Sequence, residues 1–165
     1  AHRDDLTLVI CGNGPDRAAL ERASTGLGNI RFHDLQPAQD LSALLNLASI
    51  HLLPQTACAQ DLVLPSNLPN MLASGRPVVA TANPDTALFA EVKGCGIATE
   101  PGHGAAFAAA IERLCDDAAL REQLGCAARA RAEARWSRQV ILAGFVAAIE
   151  QAEKSPAVAL VGHRR

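Results

Sequence analysis

The sequence has no tyrosine, one tryptophan and four phenylalanines, so it lacks the aromatic platforms on which nucleic-acid bases stack. Its net charge of −2 gives no electrostatic attraction for a phosphate backbone, and together these two features exclude nucleic acid as a partner. No apolar run approaches the ~18 residues that a bilayer span needs. Ala1-His2-Arg3-Asp4-Asp5 has none of the character of a signal peptide. The five cysteines, at 11, 58, 95, 115 and 126, form no CxxC pair and no zinc-type spacing. Scattered through apolar segments, they read as buried, reduced thiols of a cytoplasmic protein. No Ser–His–Asp array and no paired carboxylates suggest a self-contained catalytic centre.

What is present is an apolar, alanine-rich chain of 165 residues, the size of one domain with a substantial core. Apolar runs alternate with helical patterns. Leu6 to Cys11 reads as a buried strand ended by the turn Gly12-Asn13-Gly14-Pro15. Asp16 to Ser24 reads as a helix with Ala19, Leu20 and Ala23 on one face. Ile30 to Asp34 is a second strand, Asp40 caps a helix carrying Leu41, Leu44, Leu45 and Ala48, and Ile50 to Leu53 is a third strand. A loop over 55–65 leads to a helix capped by Ser66 and closed by Gly75, and a strand from Pro77 to Thr81 follows. A short helix at 86–92 and a strand around Ile97 complete the alternation. From Gly104 the pattern is helical, with a last helix capped by Ser137; the pattern fades beyond Lys154, and 153–165 is an expected mobile tail. Repeated strand–helix units imply an α/β fold, a doubly wound parallel sheet with a helical C-terminus.

Such sheets bind ligands at the carboxyl ends of their strands. Gly12-Asn13-Gly14 invites comparison with a dinucleotide fingerprint, but the third glycine position is Arg17, which is too bulky for the close strand–helix contact. The sequence also places no suitable acid after the second strand. The glycines serve either a tight turn alone or a turn whose backbone also lines a nucleotide pocket. In the second candidate, Ser66 as cap puts Asn67, Leu68 and Pro69 in the first helical turn and Asn70 on the same side as Ser66 and Asn67. Periodicity alone leaves two readings, an ordinary capped helix or a polar edge whose free amides meet an anion such as a diphosphate.

The stretch Ala73-Ser74-Gly75-Arg76-Pro77-Val78-Val79-Ala80 resembles the donor-binding segment of family 4-like retaining glycosyltransferases of the GT-B fold. The pair Pro65-Ser66 resembles the colanic-acid and exopolysaccharide subgroup, Gly12-Asn13-Gly14-Pro15 the family's G-x-G-P turn, and the region near Trp136-Ser137 its aromatic-containing C-terminus. The resemblance implies a nucleotide-sugar-binding domain over residues 1–152. It implies a sugar transferred from a UDP- or GDP-linked donor to a polysaccharide or lipid-linked acceptor, with retention and without a metal or other cofactor. The donor phosphate itself would then assist the acceptor's proton transfer.

By resemblance the nucleotide-binding residues are Gly12, Asn13, Gly14, Leu35, Gln36, Asp61, Leu62, Val63, Pro65, Ser66, Asn67 and Asn70. Leu35 and Gln36 fall to the base edge, the 63–67 backbone to the phosphates and Asn70 to the ribose. The family's usual charged residues are replaced: Asn70 stands for a Glu, Leu62 for a second Glu with Asp61 beside it, and Asn67 for a Lys. Those losses leave room for a non-catalytic nucleotide-binding or subunit-pairing module of the same fold. The resemblance also implies that a first βα unit and an acceptor domain precede Ala1, that this chain alone is inactive, and that exposed sheet edges could pair copies of it. Arg131, Arg135 and Arg138, if one helix carries them, form a basic stripe that is either solvated or in weak contact with an anionic membrane at the inner face. His33, His51 and His103 read as structural.

Overall fold

The computed structural model describes residues 3–56 and 64–154. The chain divides into two compact units, Ala1–Leu47 and Ala48–Arg165.

In the first unit, β1 (Leu8–Cys11) and β2 (Ile30–His33) pair in parallel with Leu8 opposite Ile30 and Cys11 opposite His33. Helix α1 (Arg17–Ala23) connects them, the βαβ crossover that parallel pairing requires. Gly12 turns the chain at φ 150°, where a side chain is strained, and its N–H bonds His33 O at 3.0 Å. No residue of α1 is buried, and Leu20 on its apolar face is 47% exposed. The expected cap at Asp40 is not formed. Asp40 ends a 3₁₀ turn, Ala38–Asp40, that runs straight into α2 (Leu41–Leu47), because Pro37 starts the turn earlier than the apolar pattern does.

The second unit holds a three-stranded parallel sheet in the order β3 (His51–Leu53), β4 (Val78–Thr81), β5 (Gly96–Thr99). All four residues of β4 are buried, as expected for a central strand covered on both faces. Side chains alternate across it. Val78 and Ala80 meet Leu68 and Leu72 of α3 (Leu68–Ala73) and Leu88 and Val92 of α4 (Ala87–Val92). Val79 meets Ala110 and Leu114 of α5 (Gly104–Asp116) on the other face. Each fully buried Leu or Val contributes roughly 1.5–3 kcal/mol, so these two small clusters dominate the unit's stability. Gly96 is required where it stands, since a Cβ there would overlap the Val78 backbone.

The doubly wound α/β arrangement read from the sequence is therefore present, with its strands in a two-stranded and a three-stranded sheet. Helix α6 (Ala118–Arg131) begins at Asp117, which accepts from Leu120 N at 2.8 Å. A π turn, Ala132–Trp136, follows, and α7 (Arg138–Lys154) begins after Ser137. Val140 N donates to Ser137 Oγ at 3.4 Å. Helix α7 runs through Lys154, where its sequence pattern ends, and 155–165 lie outside the described residues.

The reading of the cysteines as buried thiols holds for one of those described. Cys95 is 1% exposed, and burial pushes its thiol pKa up; Cys11 and Cys115 are half-buried and Cys126 is exposed. Cys58 lies outside the described residues.

Candidate donor-binding site

Pro69 sets where α3 begins. A proline tolerates the first helical turn because its missing N–H has no intrahelical partner there. With Pro69 in that turn, the N-cap is Asn67 rather than the expected Ser66. Asn67 has helical angles, φ −78° and ψ −22°, and its side chain makes no capping bond. Ser66 stands one residue earlier in a tight turn in which Leu68 N donates to Pro65 O at 3.0 Å. Leu68 N is thus taken and Pro69 has none. Among the described residues this leaves the amides of Ser66, Asn67 and Asn70 at the start of the helix without a backbone acceptor. Ser66, Asn67 and Asn70 are all exposed and Pro65 is half-buried. With only six residues, α3 offers these local N–H groups rather than a long helix dipole.

The far end of α3 is fixed by three contacts. Gly75 takes φ 70°, the left-handed position after a helix, and its N–H bonds Leu72 O at 3.0 Å. Arg129 of α6 donates to Ala73 O at 2.6 Å. His51 Nε2 lies 2.9 Å from Ser74 Oγ, which itself donates to Met71 O at 2.6 Å. His51 is 6% exposed; burial, then the Arg76 charge, brings its pKa down to about 4, so the ring is neutral at neutral pH. His51 is structural, as read from the sequence.

The carboxyl edge of the same sheet carries polar residues that sequence reasoning missed. Thr81 Oγ1 accepts from Gln55 N at 2.5 Å and donates to Gln55 O at 2.8 Å, tying the chain leaving β3 to the end of β4. Thr99 is the registered neighbour of Thr81 on β5. Thr99 Oγ1 and Gln55 Oε1 are buried without a hydrogen-bond partner among the described residues. The only signal for them in the sequence was position, since each closes or follows a strand. A cavity of about 680 Å³ opens at the opposite edge, where Ser49 precedes β3 and Pro77 precedes β4, and so belongs to a different place from the expected site.

The sequence-assigned residues divide between the units. Gly12, Asn13, Gly14, Leu35 and Gln36 stand at the carboxyl ends of β1 and β2 in the first; Pro65, Ser66, Asn67 and Asn70 stand at the start of α3 in the second. Asp61, Leu62 and Val63 lie outside the described residues. Contrary to the sequence reading, an acid does follow the second strand: Asp34 comes directly after β2, but its Oδ1 is held by Arg17 at 2.7 Å. The basic stripe is not formed. Ser137 takes extended angles and breaks the helix, Arg131 donates to Ala90 O and Glu91 O, and Arg135 pairs with the buried Glu91 at 2.9 Å.

Residues 1–117 match the family model described as glycosyl transferases group 1. The chain belongs to the group 1 glycosyl transferases. It is 35% identical over 150 residues to the putative colanic acid biosynthesis glycosyl transferase WcaI of Escherichia coli (strain K12), covering 87% of this chain and 36% of that protein. It is 34% identical over 150 residues to the D-inositol 3-phosphate glycosyltransferase of Salinispora tropica, covering 83% of this chain and 30% of that one. The chain thus spans about a third of the length of these curated relatives.

Group 1 membership agrees with the fold comparison. The structure of Anabaena Alr3699/HepE in complex with UDP superposes with a TM-score of 0.78 at 19% identity, over 90% of this chain and 42% of that one. The lipopolysaccharide-biosynthesis glycosyltransferase WaaG superposes with a TM-score of 0.60 at 20% identity, over 78% of this chain and 34% of that one. The expected α/β architecture is borne out by these matches, and the expected family by the group 1 model. No helix among the described residues is long and apolar enough to cross a membrane.

Proposed function

We propose that this chain is the donor-binding half of a glycosyltransferase that moves a sugar from a UDP- or GDP-sugar to a growing polysaccharide or lipid-linked acceptor. The observation that carries the reading is the family match, with the exposed Ser66, Asn67 and Asn70 gathered at the carboxyl edge of a parallel sheet. The relatives support it, since WcaI is a putative colanic acid biosynthesis glycosyl transferase and the structural neighbour Alr3699/HepE was also solved with UDP-glucose.

The Ser66 and Asn67 amides take the diphosphate, and the Asn70 side chain takes the ribose hydroxyls. A neutral amide can bond a hydroxyl, without the charge-assisted gain of a carboxylate. Transfer proceeds with retention, without a bound metal, and with the donor phosphate assisting the acceptor's proton. The acceptor-binding part belongs to a longer parent, which works in the cytoplasm.

A second reading is favoured by one observation: α3 carries no acidic residue in its first turn, and Asn70 is neutral. On that reading the chain is a nucleotide-binding module without turnover. Calorimetry of the full-length protein with UDP, GDP and their sugars, alongside an assay of sugar transfer, separates the two. Binding with turnover supports the transferase, and binding without turnover to any acceptor supports the module. No binding of any of these nucleotides would overturn both.

A further inference from the structure

The cavity at the amino edge of the second unit has one face of α6 as a wall. Arg121, Gly125 and Arg129 follow one another at i, i+4 and i+8, so they line the same side of that helix. They meet the connection from α3 into β4, residues 75–77, at close range: a Cβ on Gly125 would overlap Gly75 O. Room remains beside this backbone contact because Cys126 and Ala130, which also line it, have short side chains. The volume of about 680 Å³ lies in the range of small-molecule sites, ~300–1,000 Å³. Every residue of the lining belongs to the second unit.

Three guanidiniums line this space, and two of them are already anchored. Arg121 NH1 donates to Leu114 O at 2.7 Å and to Cys115 O at 3.0 Å, at the end of α5, which leaves its Nε and NH2 groups. Arg129 donates through Nε to Glu133 Oε1 at 2.7 Å and through NH1 to Ala73 O at 2.6 Å, which leaves NH2. Arg76 is exposed and makes no hydrogen bond or ion pair among the described residues. Of the two carboxylates in the lining, Glu133 is engaged by Arg129 and Glu122 is exposed. Donors are therefore in excess. An anchored guanidinium has already given up its rotamer freedom, so it meets an oxyanion at a smaller entropic cost than a free one.

We propose that this cavity binds a small molecule carrying a phosphate or carboxylate group, held by Arg76 together with the anchored Arg121 and Arg129. Both groups present planar or tripodal oxygens that accept from a guanidinium fork, and their charge makes those bonds stronger than neutral ones. The site lies at the opposite edge of the sheet from Ser66, Asn67 and Asn70. It stands whether or not those residues bind a nucleotide. Its occupant joins α6 to the connection between α3 and β4.

The test is an NMR titration of the full-length protein with inorganic phosphate and with citrate, at constant ionic strength. Saturable movement of the Gly75 and Gly125 amide signals is expected with at least one probe, and the probe that binds names the head group. Arg76→Gln should weaken that binding about tenfold, the scale of one charge-assisted hydrogen bond. Ala130→Glu, which sets a carboxylate into the cavity from an exposed position, should abolish it. Arg138→Gln removes the same charge from exposed α7, outside the lining, and should leave the affinity unchanged. Three results each overturn the inference: no saturation with either probe, shifts confined to Ser66 and Asn67, or equal weakening by Arg76→Gln and Arg138→Gln. The last would mark a response to net charge alone. If Arg76→Gln lowers the urea midpoint, Ala130→Glu decides on the same shifts.

Discussion

His51 and Ser74 meet at 2.9 Å inside the second unit, and because Ser74 gives its single proton to Met71 O, the histidine is the donor through Nε2. This bond ties the first residue of β3 to the C-cap of α3. The Nε2–H donor is present in either protonation state, so acid does not remove this bond; it places a charge in a buried site.

The pH dependence follows from the depressed pKa. The folded protein holds His51 at about 4, against 6.5 for the free side chain, so between these values the unfolded chain binds more protons. Stability from this residue is complete above pH 6.5 and is lost as pH falls toward 4, by about 3 kcal/mol in all. Urea unfolding between pH 5 and 7 should show this slope, and His51→Gln should flatten it. An equal slope in both proteins would show that His51 does not carry it.

Glu91 and Arg135 should respond unequally to mutation. Glu91 is 5% exposed, with Arg135 at 2.9 Å and Trp136 Nε1 donating to it at 3.3 Å, while the Arg135 side chain is 59% exposed. Arg135→Ala strands a buried carboxylate and is expected to cost about 3 kcal/mol. Glu91→Gln returns an arginine to water and keeps an acceptor for the indole, at about 1 kcal/mol. Denaturant midpoints measure both, and a larger loss in Glu91→Gln would contradict the account.

Asn70→Ala should weaken UDP or GDP binding by about 1 kcal/mol, the scale of one neutral hydrogen bond. Calorimetry on the full-length protein reads it directly. An unaltered dissociation constant would remove Asn70 from the site.

Gly125→Ala should destabilise the second unit by about 1–3 kcal/mol through overpacking, because the new methyl would collide with Gly75 O. The check is the thermal midpoint. Gly144→Ala in α7 is the matched control, since nothing lies within 4 Å of a Cβ there.

How much of this could be read from the sequence depended on whether local rules were the ones in force. The strand at Val78–Thr81 was legible because a buried parallel strand is an apolar run bounded by turn residues; the run at Leu8–Cys11 also forms a strand, but none of its residues is buried, contrary to the reading of a buried strand there. Gly75 was legible as a helix stop because only its backbone conformation mattered. The caps at Asp40 and Ser66 were misplaced because a nearby proline, Pro37 or Pro69, moved the helix start by its own constraint. The stripe of Arg131, Arg135 and Arg138 dissolved because Arg131 and Arg135 answer to Glu91, forty residues or so away, and no spacing rule reaches that far. The same holds for Arg17, which sequence reasoning saw only as a bulky obstacle to a dinucleotide. Its acceptors at His33 and Asp34 become neighbours only once β1 and β2 have paired.

The contact of Gly125 with Gly75 bears on motion as well as on packing. Two helices that touch through side chains can slide past one another by small rotamer changes, the usual basis of shear. Here the touching atoms on one side are backbone, with Arg129 pinned to Ala73 O beside them, and no rotamer is available to absorb a shift. The amide protons of α3 and α6 should accordingly exchange with solvent as one cooperative block. Any opening at the start of α3 that admits a ligand must then come from the 64–67 turn or from α3 and α6 swinging together.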